Sequence, residues 1–272
     1  MRAVAEYAMR GRREAAIVVT VSAVVPLLFW LSAAIIVLTT LRKGTAEGLN
    51  LLLWAGMPAV VWLVMRGDPT SLIVIVGAMI LAVVLRTTVS WVSTLFVGVV
   101  LGLIVSWVMP LLVPELLSPE VLSKLAPSVD MKTELSYDMV SSLLAGFWAA
   151  AHLMVIILSL ILGRWWQSLL FNPGGFGVEF RQLMLPPLVA IPAVLIAQFG
   201  GNLHPVLIGW APILMMPLFI AAIALAHGVV SIKKLSYHWL VLMYILVFLV
   251  GPYLALVDSL MNFRRRLQKT PE

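Results

Sequence analysis

Long runs of apolar residues, separated by short polar stretches, dominate the chain. Eight such runs stand out: Ala15 to Leu41, Leu49 to Met65, Ser71 to Leu85, Ser90 to Val113, Met139 to Gly163, Leu183 to Phe199, Pro205 to Ala226 and His238 to Asn262. A helix crossing the hydrocarbon core of a bilayer needs about 20 mainly apolar residues. The runs are continuous and not alternating, so they predict helices and not the strands of a barrel. The third run, at about 15 residues, is short for a crossing and is expected to be tilted, re-entrant or shielded by its neighbours. The expected fold is all-α: a polytopic transmembrane helix bundle of about eight apolar segments, forming one integral membrane domain over residues 1–272.

The first run follows Arg2, Arg10, Arg12 and Arg13, the order of a signal peptide. Its length argues instead for a retained anchor. The distribution of Lys and Arg bears on how the runs cross. Eight simple crossings leave only a weak excess of basic residues on the inner side. Folding the first and last runs back on themselves, at Pro26 and at Gly251-Pro252, moves Arg42, Lys43, Arg86, Arg164, Arg181, Lys233 and Lys234 inside. Only Arg66, Lys124 and Lys132 then remain outside. The half-runs are short: Ala15 to Val25 reaches only about 17 Å against a core of about 30 Å. A fold-back therefore requires re-entrant halves shielded by protein, or a first helix extended through Arg10, Arg12 and Arg13. Either topology places both termini on the cytoplasmic side.

Composition agrees with lipid as the solvent. Hydrophobic residues make up 62% of the chain and charged residues 11%, with a mean hydropathy of +1.08. Soluble domains carry roughly a quarter charged residues. The net charge of +6 would hint at nucleic acid in a soluble protein. Here the basic residues sit at segment ends, where they meet anionic headgroups, so no nucleic-acid partner is expected. Cysteine is absent, which excludes disulfides and thiolate chemistry. Trp91, Trp165, Trp166 and Trp239 lie near segment ends as interfacial anchors.

Two polar stretches interrupt the pattern. Residues 114–138 form an expected periplasmic loop, in which Ser118-Pro119-Glu120 is a helix start: a cap, a proline in the first turn and an acid near the positive end of the dipole. Val121, Leu122 and Leu125 fall on one face, as for a surface helix or a substrate lid. Residues 164–182 form an expected cytoplasmic loop. Asn172-Pro173-Gly174-Gly175 is a tight-turn signature, with Glu179 and Arg181 close behind. Two readings stand for Arg164, Trp165, Trp166, Asn172, Gly174, Gly175, Glu179 and Arg181: a docking surface for a cytoplasmic or membrane partner, or an interfacial helix anchored by Trp165, Trp166 and Phe180.

Candidate chemistry is sparse. His152, in the middle of the fifth run, is the best candidate for a ligand or proton contact, or else a neutral histidine hydrogen-bonded to a neighbouring helix. Gln198, Asn202 and His204 cluster beside Gly200 and Gly201, as the mouth of a small-molecule site or as a solvated turn. Asp258 reads as locally paired near the interface, and Arg86 as snorkelling to headgroups. The four histidines show no metal-ligand spacing, no nucleophile elbow occurs, and no carboxylates are paired within a run. No catalytic residue, metal or cofactor is expected, and the chain does not read as an enzyme. A lipid-directed enzyme would need a charged headgroup-level cluster, which only Glu179 and Arg181 approach.

The start AEYAMRGR, the stretches PLLFWLSAAIIVLTTLRKG and RWWQSLLFNPGGFGVEF, and the ending ALVDSLMNFRRRL resemble the YybS-like family of bacterial inner-membrane proteins, in its proteobacterial form. That family is similar in its N-terminal pattern to the substrate-binding subunits of energy-coupling-factor transporters and to the cell-shape protein MreD. The resemblance implies a helical core with a ligand pocket, or a scaffold for a cytoplasmic partner, and it favours the fold-back at Pro26. RGRRE departs from the pattern by replacing residues that a clean first helix would keep apolar. No binding residue is carried over. Besides the bilayer, the expected partner is a small-molecule ligand for a binding or transport component; the alternative is a membrane scaffold or assembly factor.

Overall fold

The computed structural model describes residues 2–125, 134–236 and 238–269. Every regular element among them is helical: α1 Arg2–Arg10, α2 Arg12–Val24, α3 Phe29–Lys43, α4 Thr45–Arg66, α5 Thr70–Thr88, α6 Trp91–Leu112, a 3-10 turn Pro114–Leu117, α7 Pro119–Leu125, α8 Glu134–Phe171, α9 Gly175–Arg181, α10 Pro187–Leu203, α11 Pro205–Ile232, α12 His238–Met261 and α13 Phe263–Lys269. Six of these helices (α4, α5, α6, α8, α11 and α12) are long and apolar enough to cross a membrane by length and composition. Large apolar side chains lie bare on the outside, among them Leu53, Val64, Trp107, Leu188 and Phe248. In water such a surface would drive association, whereas hydrocarbon solvates it. The chain is a helical membrane protein.

The helices form two compact units: Met1–Leu125 with Trp148–Phe176, and Ala126–Phe147 with Gly177–Glu272. In the first, the fold-back at Pro26 is present. Residues between Val24 and Phe29 leave the helix, with Leu27 at φ 66°. The start of α2 lies level with the start of α4, where the Arg12 guanidinium pairs with Glu47, its Nε donating at 2.9 Å. Further along, Trp62 Nε1 of α4 donates to the Val24 carbonyl at 3.2 Å, covering a polar group that the turn would otherwise expose to lipid. The arm α2 is too short to cross, and α3 fills the centre of the unit, with Ala33 to Leu38 fully buried. Its close neighbours meet it at small residues. A Cβ on Gly163 of α8 would run 2.7 Å from the Ala34 carbonyl oxygen, so only glycine allows that approach.

Arg86, exposed at the end of the third run, also serves a neighbouring helix. Its Nη1 donates to the carbonyls of Thr40 (3.2 Å) and Leu41 (2.6 Å), capping the C-terminal end of α3 where the helix dipole is negative. The third run is longer than expected. It is the 19-residue helix α5, about 28 Å long, enough for a crossing. Thr87 and Thr88 end it inside the helix because their hydroxyls bond back to the carbonyls of Val83 and Val84.

In the second unit α12 reverses direction. His227 of α11 meets the Tyr244 ring, while Gly228, the next residue, faces Arg264. A straight helix would hold residues 244 and 264 about 30 Å apart. The reversal is at Val250 (φ −135°, ψ 15°), immediately before Gly251-Pro252, and Gly251 packs on Ala222 and Phe219. Pro252 lacks the amide proton that a continuous helix would use. The last run is therefore not one straight span but is folded back on itself, as a hairpin, beside Gly251-Pro252. Its first arm reaches only about 18 Å into a core of about 30 Å.

Both polar stretches are more helical than expected. In 114–138, α7 begins at Pro119, the Val121 amide bonds the Ser118 hydroxyl at 3.4 Å and Leu122 is buried. Residues 126–133 lie outside the described residues, and 134–138 already belong to α8. The stretch 164–182 is not a loop over its first half, because α8 continues to Phe171. Apolar packing explains the correction: Trp166 is wholly buried and the Arg42 guanidinium covers the Phe171 ring at 4.4 Å.

Candidate anion-binding cleft

Three separate stretches of chain build a cavity with charged and polar side chains in its wall. Gly174, at φ 84°, turns the chain into α9, whose last residue is Arg181. The last turns of α11 contribute Gly228 and Ser231. Asn262, at φ 48°, ends the hairpin and turns α13 back, bringing Arg264 and Arg265 to the same place. Together they line a cleft of about 350 Å³. Its wall is about half polar, with Arg181, Gln182, Ser231, Asn262, Arg264 and Arg265 set beside Val178, Met184 and Ile232, and no carboxylate lines it.

The cleft is held by a buried ion pair. Arg264 Nη2 meets Asp258 Oδ2 at 3.0 Å, and its Nη1 donates to the Arg181 carbonyl at 2.8 Å. Asp258 Oδ1 accepts from the Phe263 amide at 3.0 Å. Burial pulls the Arg264 pKa below its usual value and Asp258 acts against that. An arginine stays charged under any such shift. Its Nε is buried with no hydrogen-bond partner. A Cβ on Gly228 would lie 3.3 Å from the Arg181 carbonyl oxygen and 3.4 Å from Arg264 Cδ, so glycine lets the three segments close up. Asp258 neutralises Arg264, while among the described residues no carboxylate pairs with Arg181 or Arg265. Two positive charges thus face the cavity uncompensated. Guanidinium groups in such an arrangement suit carboxylate or phosphate oxygens. Among the described residues no group of three metal-binding side chains occurs.

None of the residues expected to bind a ligand lines this cleft. His152 belongs to the first unit, Gln198, Asn202 and His204 to the second. His152 is buried, with Nδ1 2.7 Å from the Trp148 carbonyl and Nε2 3.3 Å from the Thr70 hydroxyl. A carbonyl only accepts, so Nδ1 carries a proton, and the ring ties α8 to α5. The variant His152→Leu is expected to lower stability by about 1–2 kcal/mol in a reversible unfolding measurement, without changing anion binding at the cleft. Gln198 Nε2 donates to the Tyr253 hydroxyl at 2.5 Å, tying α10 to the hairpin tip. His204 caps α11 by accepting from the Val206 amide at 3.2 Å, and Asn202, two residues earlier, is exposed.

The stretch read as a docking surface is divided between the units, with Arg164 to Phe176 in the first and Gly177 onward in the second. Arg164 bonds Gln167 at 2.6 Å and Trp165 is part-exposed. The Ser168 hydroxyl donates to the Asn172 carbonyl and accepts from the Phe176 amide, bracing the turn that holds Gly174 and Gly175. Glu179 lies on α9 beside the cleft, and of this set only Arg181 lines it. Sequence reasoning missed Gly228, Ser231, Asn262, Arg264 and Arg265. The available signal was the run Arg264-Arg265-Arg266 soon after Asn262. No protein-family model, no curated protein and no solved structure matches this chain.

Proposed function

We propose that this protein is a binding or transport component of the bacterial inner membrane, and that its ligand carries an anionic group held in the α9–α11–α13 cleft. The observation that carries this reading is the pair of uncompensated guanidiniums, Arg181 and Arg265, on a cavity of about 350 Å³, within the size range of small-molecule sites. Both hairpins add support, since broken helices are where membrane proteins bring backbone groups to a ligand pathway. In the first unit Arg12, Arg42, Lys43 and Arg86 gather at the open end of the α2–α3 hairpin, and in the second Arg181, Lys233, Arg264 and Arg265 gather at the open end of α12. With basic ends facing the cytoplasm, both termini lie inside and the cleft opens there. Kinship with the YybS-like proteins fits this reading on the four quoted motifs.

The test uses the full chain in phosphatidylcholine nanodiscs, offered pyrophosphate from the water and phosphatidic acid from the bilayer. Saturable binding of at least one probe is expected, weakened about tenfold or more by Arg181→Gln with Arg265→Gln, in line with about 1.5–3 kcal/mol for a charge-assisted hydrogen bond. Binding of neither probe, or equal binding by the double variant, would overturn the proposal.

A further inference from the structure

A second cavity adjoins the cleft. It measures about 230 Å³ and lies in the fork of the α12 hairpin, walled by Ala222 and Ala226 of α11, Leu246 and Val247 of the entering arm, Leu254 of the returning arm and Phe263 of α13. Its wall is entirely apolar. Cleft and fork share two strips of chain. Gly228 lines the cleft and Val229 the fork; Asn262 and Arg264 line the cleft, and Phe263 between them lines the fork. A cationic pocket and an apolar pocket thus lie side by side at the open end of the hairpin.

From this juxtaposition we infer that the ligand is an amphiphile: a phosphate-bearing headgroup against Arg181 and Arg265, with its hydrocarbon chain in the fork beside Val229 and Phe263. The inference rests on the anionic reading of the cleft and adds the class of molecule. Three observations favour it over a wholly soluble anion. The fork is too apolar to hold water, which needs polar partners, so hydrocarbon is its fitting occupant. Residues next to one another in the chain, Gly228 and Val229 and again Asn262, Phe263 and Arg264, line the two pockets in turn, so a headgroup in one lies within a few residues' width of a hydrocarbon chain in the other. Arg264 Nε is buried and unpartnered on the wall shared with Gly228, leaving a donor at the junction. By contrast, a similar groove of about 330 Å³ between α5 and α6, lined by Leu72, Ile80, Leu101 and Ile104, has no charged wall and would select no headgroup.

The experiment reconstitutes the full chain in phosphatidylcholine nanodiscs containing a minority of phosphatidic acid, and reads retained lipid by native mass spectrometry. In parallel, glycerol 3-phosphate is titrated as the chainless headgroup. The expected result is one phosphatidic acid retained per chain, reduced about tenfold by Arg181→Gln with Arg265→Gln and about fivefold or more by Val229→Trp, which fills the fork. Glycerol 3-phosphate should bind at least a hundredfold more weakly than the lipid. Each variant is checked for a monodisperse peak and an unchanged helical spectrum, and Leu254→Phe replaces Val229→Trp if the latter does not fold. Lipid retention unaffected by a folded fork variant would overturn the inference. Binding of glycerol 3-phosphate with no lipid retained would also overturn it, while leaving the anion-binding reading intact. Binding of neither phosphatidic acid nor glycerol 3-phosphate would overturn the inference, and a further failure of pyrophosphate to bind would remove the anion-binding reading as well.

Discussion

Replacing Gly146 or Gly209 by alanine is expected to cost about 3 kcal/mol or more each, the upper end of what overpacking does. Both residues are buried in the second unit, on α8 and α11. A Cβ on Gly146 would land on the Gly209 carbonyl, and a Cβ on Gly209 would land on the Ser142 carbonyl. The obstruction is backbone on both sides, so no rotamer change relieves it and the helices must separate. In a membrane, helix association depends on close packing more than on expelling water, so separation forfeits the dispersion contacts that hold the pair. Gly56, inside α4, is the matched control: nothing lies within 4 Å of the position a Cβ would take. Alanine there should gain up to about 1 kcal/mol from helix propensity alone. Reversible unfolding in mixed micelles measures all three. A Gly146→Ala protein as stable as the parent would mean that the two helices do not meet at these residues.

Much of the architecture was legible from the apolar runs because hydrocarbon imposes a single rule: backbone groups pair internally, so a long apolar run is helical. The fold-backs were legible from the charge distribution together with Pro26 and Pro252, since no other arrangement put Arg42, Arg86 and Arg181 with the other basic residues. Element ends were less so. Arg86 marked the end of the third run in sequence, yet the helix passes through it, its guanidinium bonding the α3 carbonyls. Arg164 looked like the start of a loop, yet α8 runs two more turns because Trp166 and Ser168 face protein.

The cleft was the least legible feature, for a physical reason. Arg181, Gly228 and Arg264 are far apart in sequence, and two local events bring them together: the reversal at Val250 and the left-handed turn at Asn262. The reversal was marked by Gly251-Pro252, but asparagine tolerates a left-handed turn without demanding one, so the second event was not marked. Conversely, His152 attracted attention as a buried ionisable group, but a single buried histidine is satisfied by any two neighbours of the right polarity, here a carbonyl and a hydroxyl.

The ion pair at the base of the cleft gives the other large effect. Asp258→Ala is expected to destabilise the protein by about 3–5 kcal/mol, because Arg264 would be left charged and buried without its counter-ion. The same substitution removes the acceptor of the Phe263 amide, loosening the turn that carries the arginines. Asp258→Leu combined with Arg264→Met should cost markedly less than Asp258→Ala alone, since it removes both charges and fills the space with apolar side chains. The two outcomes separate two roles for the pair. If the double variant recovers stability but loses anion binding, the pair's main work is to position Arg181 and Arg265, through the Arg264 bond to the Arg181 carbonyl. If the double variant is as unstable as the single one, the Arg264–Arg181 link is itself what closes the hairpin onto α9. A single variant that loses under about 1 kcal/mol would show that water reaches Asp258 and Arg264, since exposed pairs contribute no more than that.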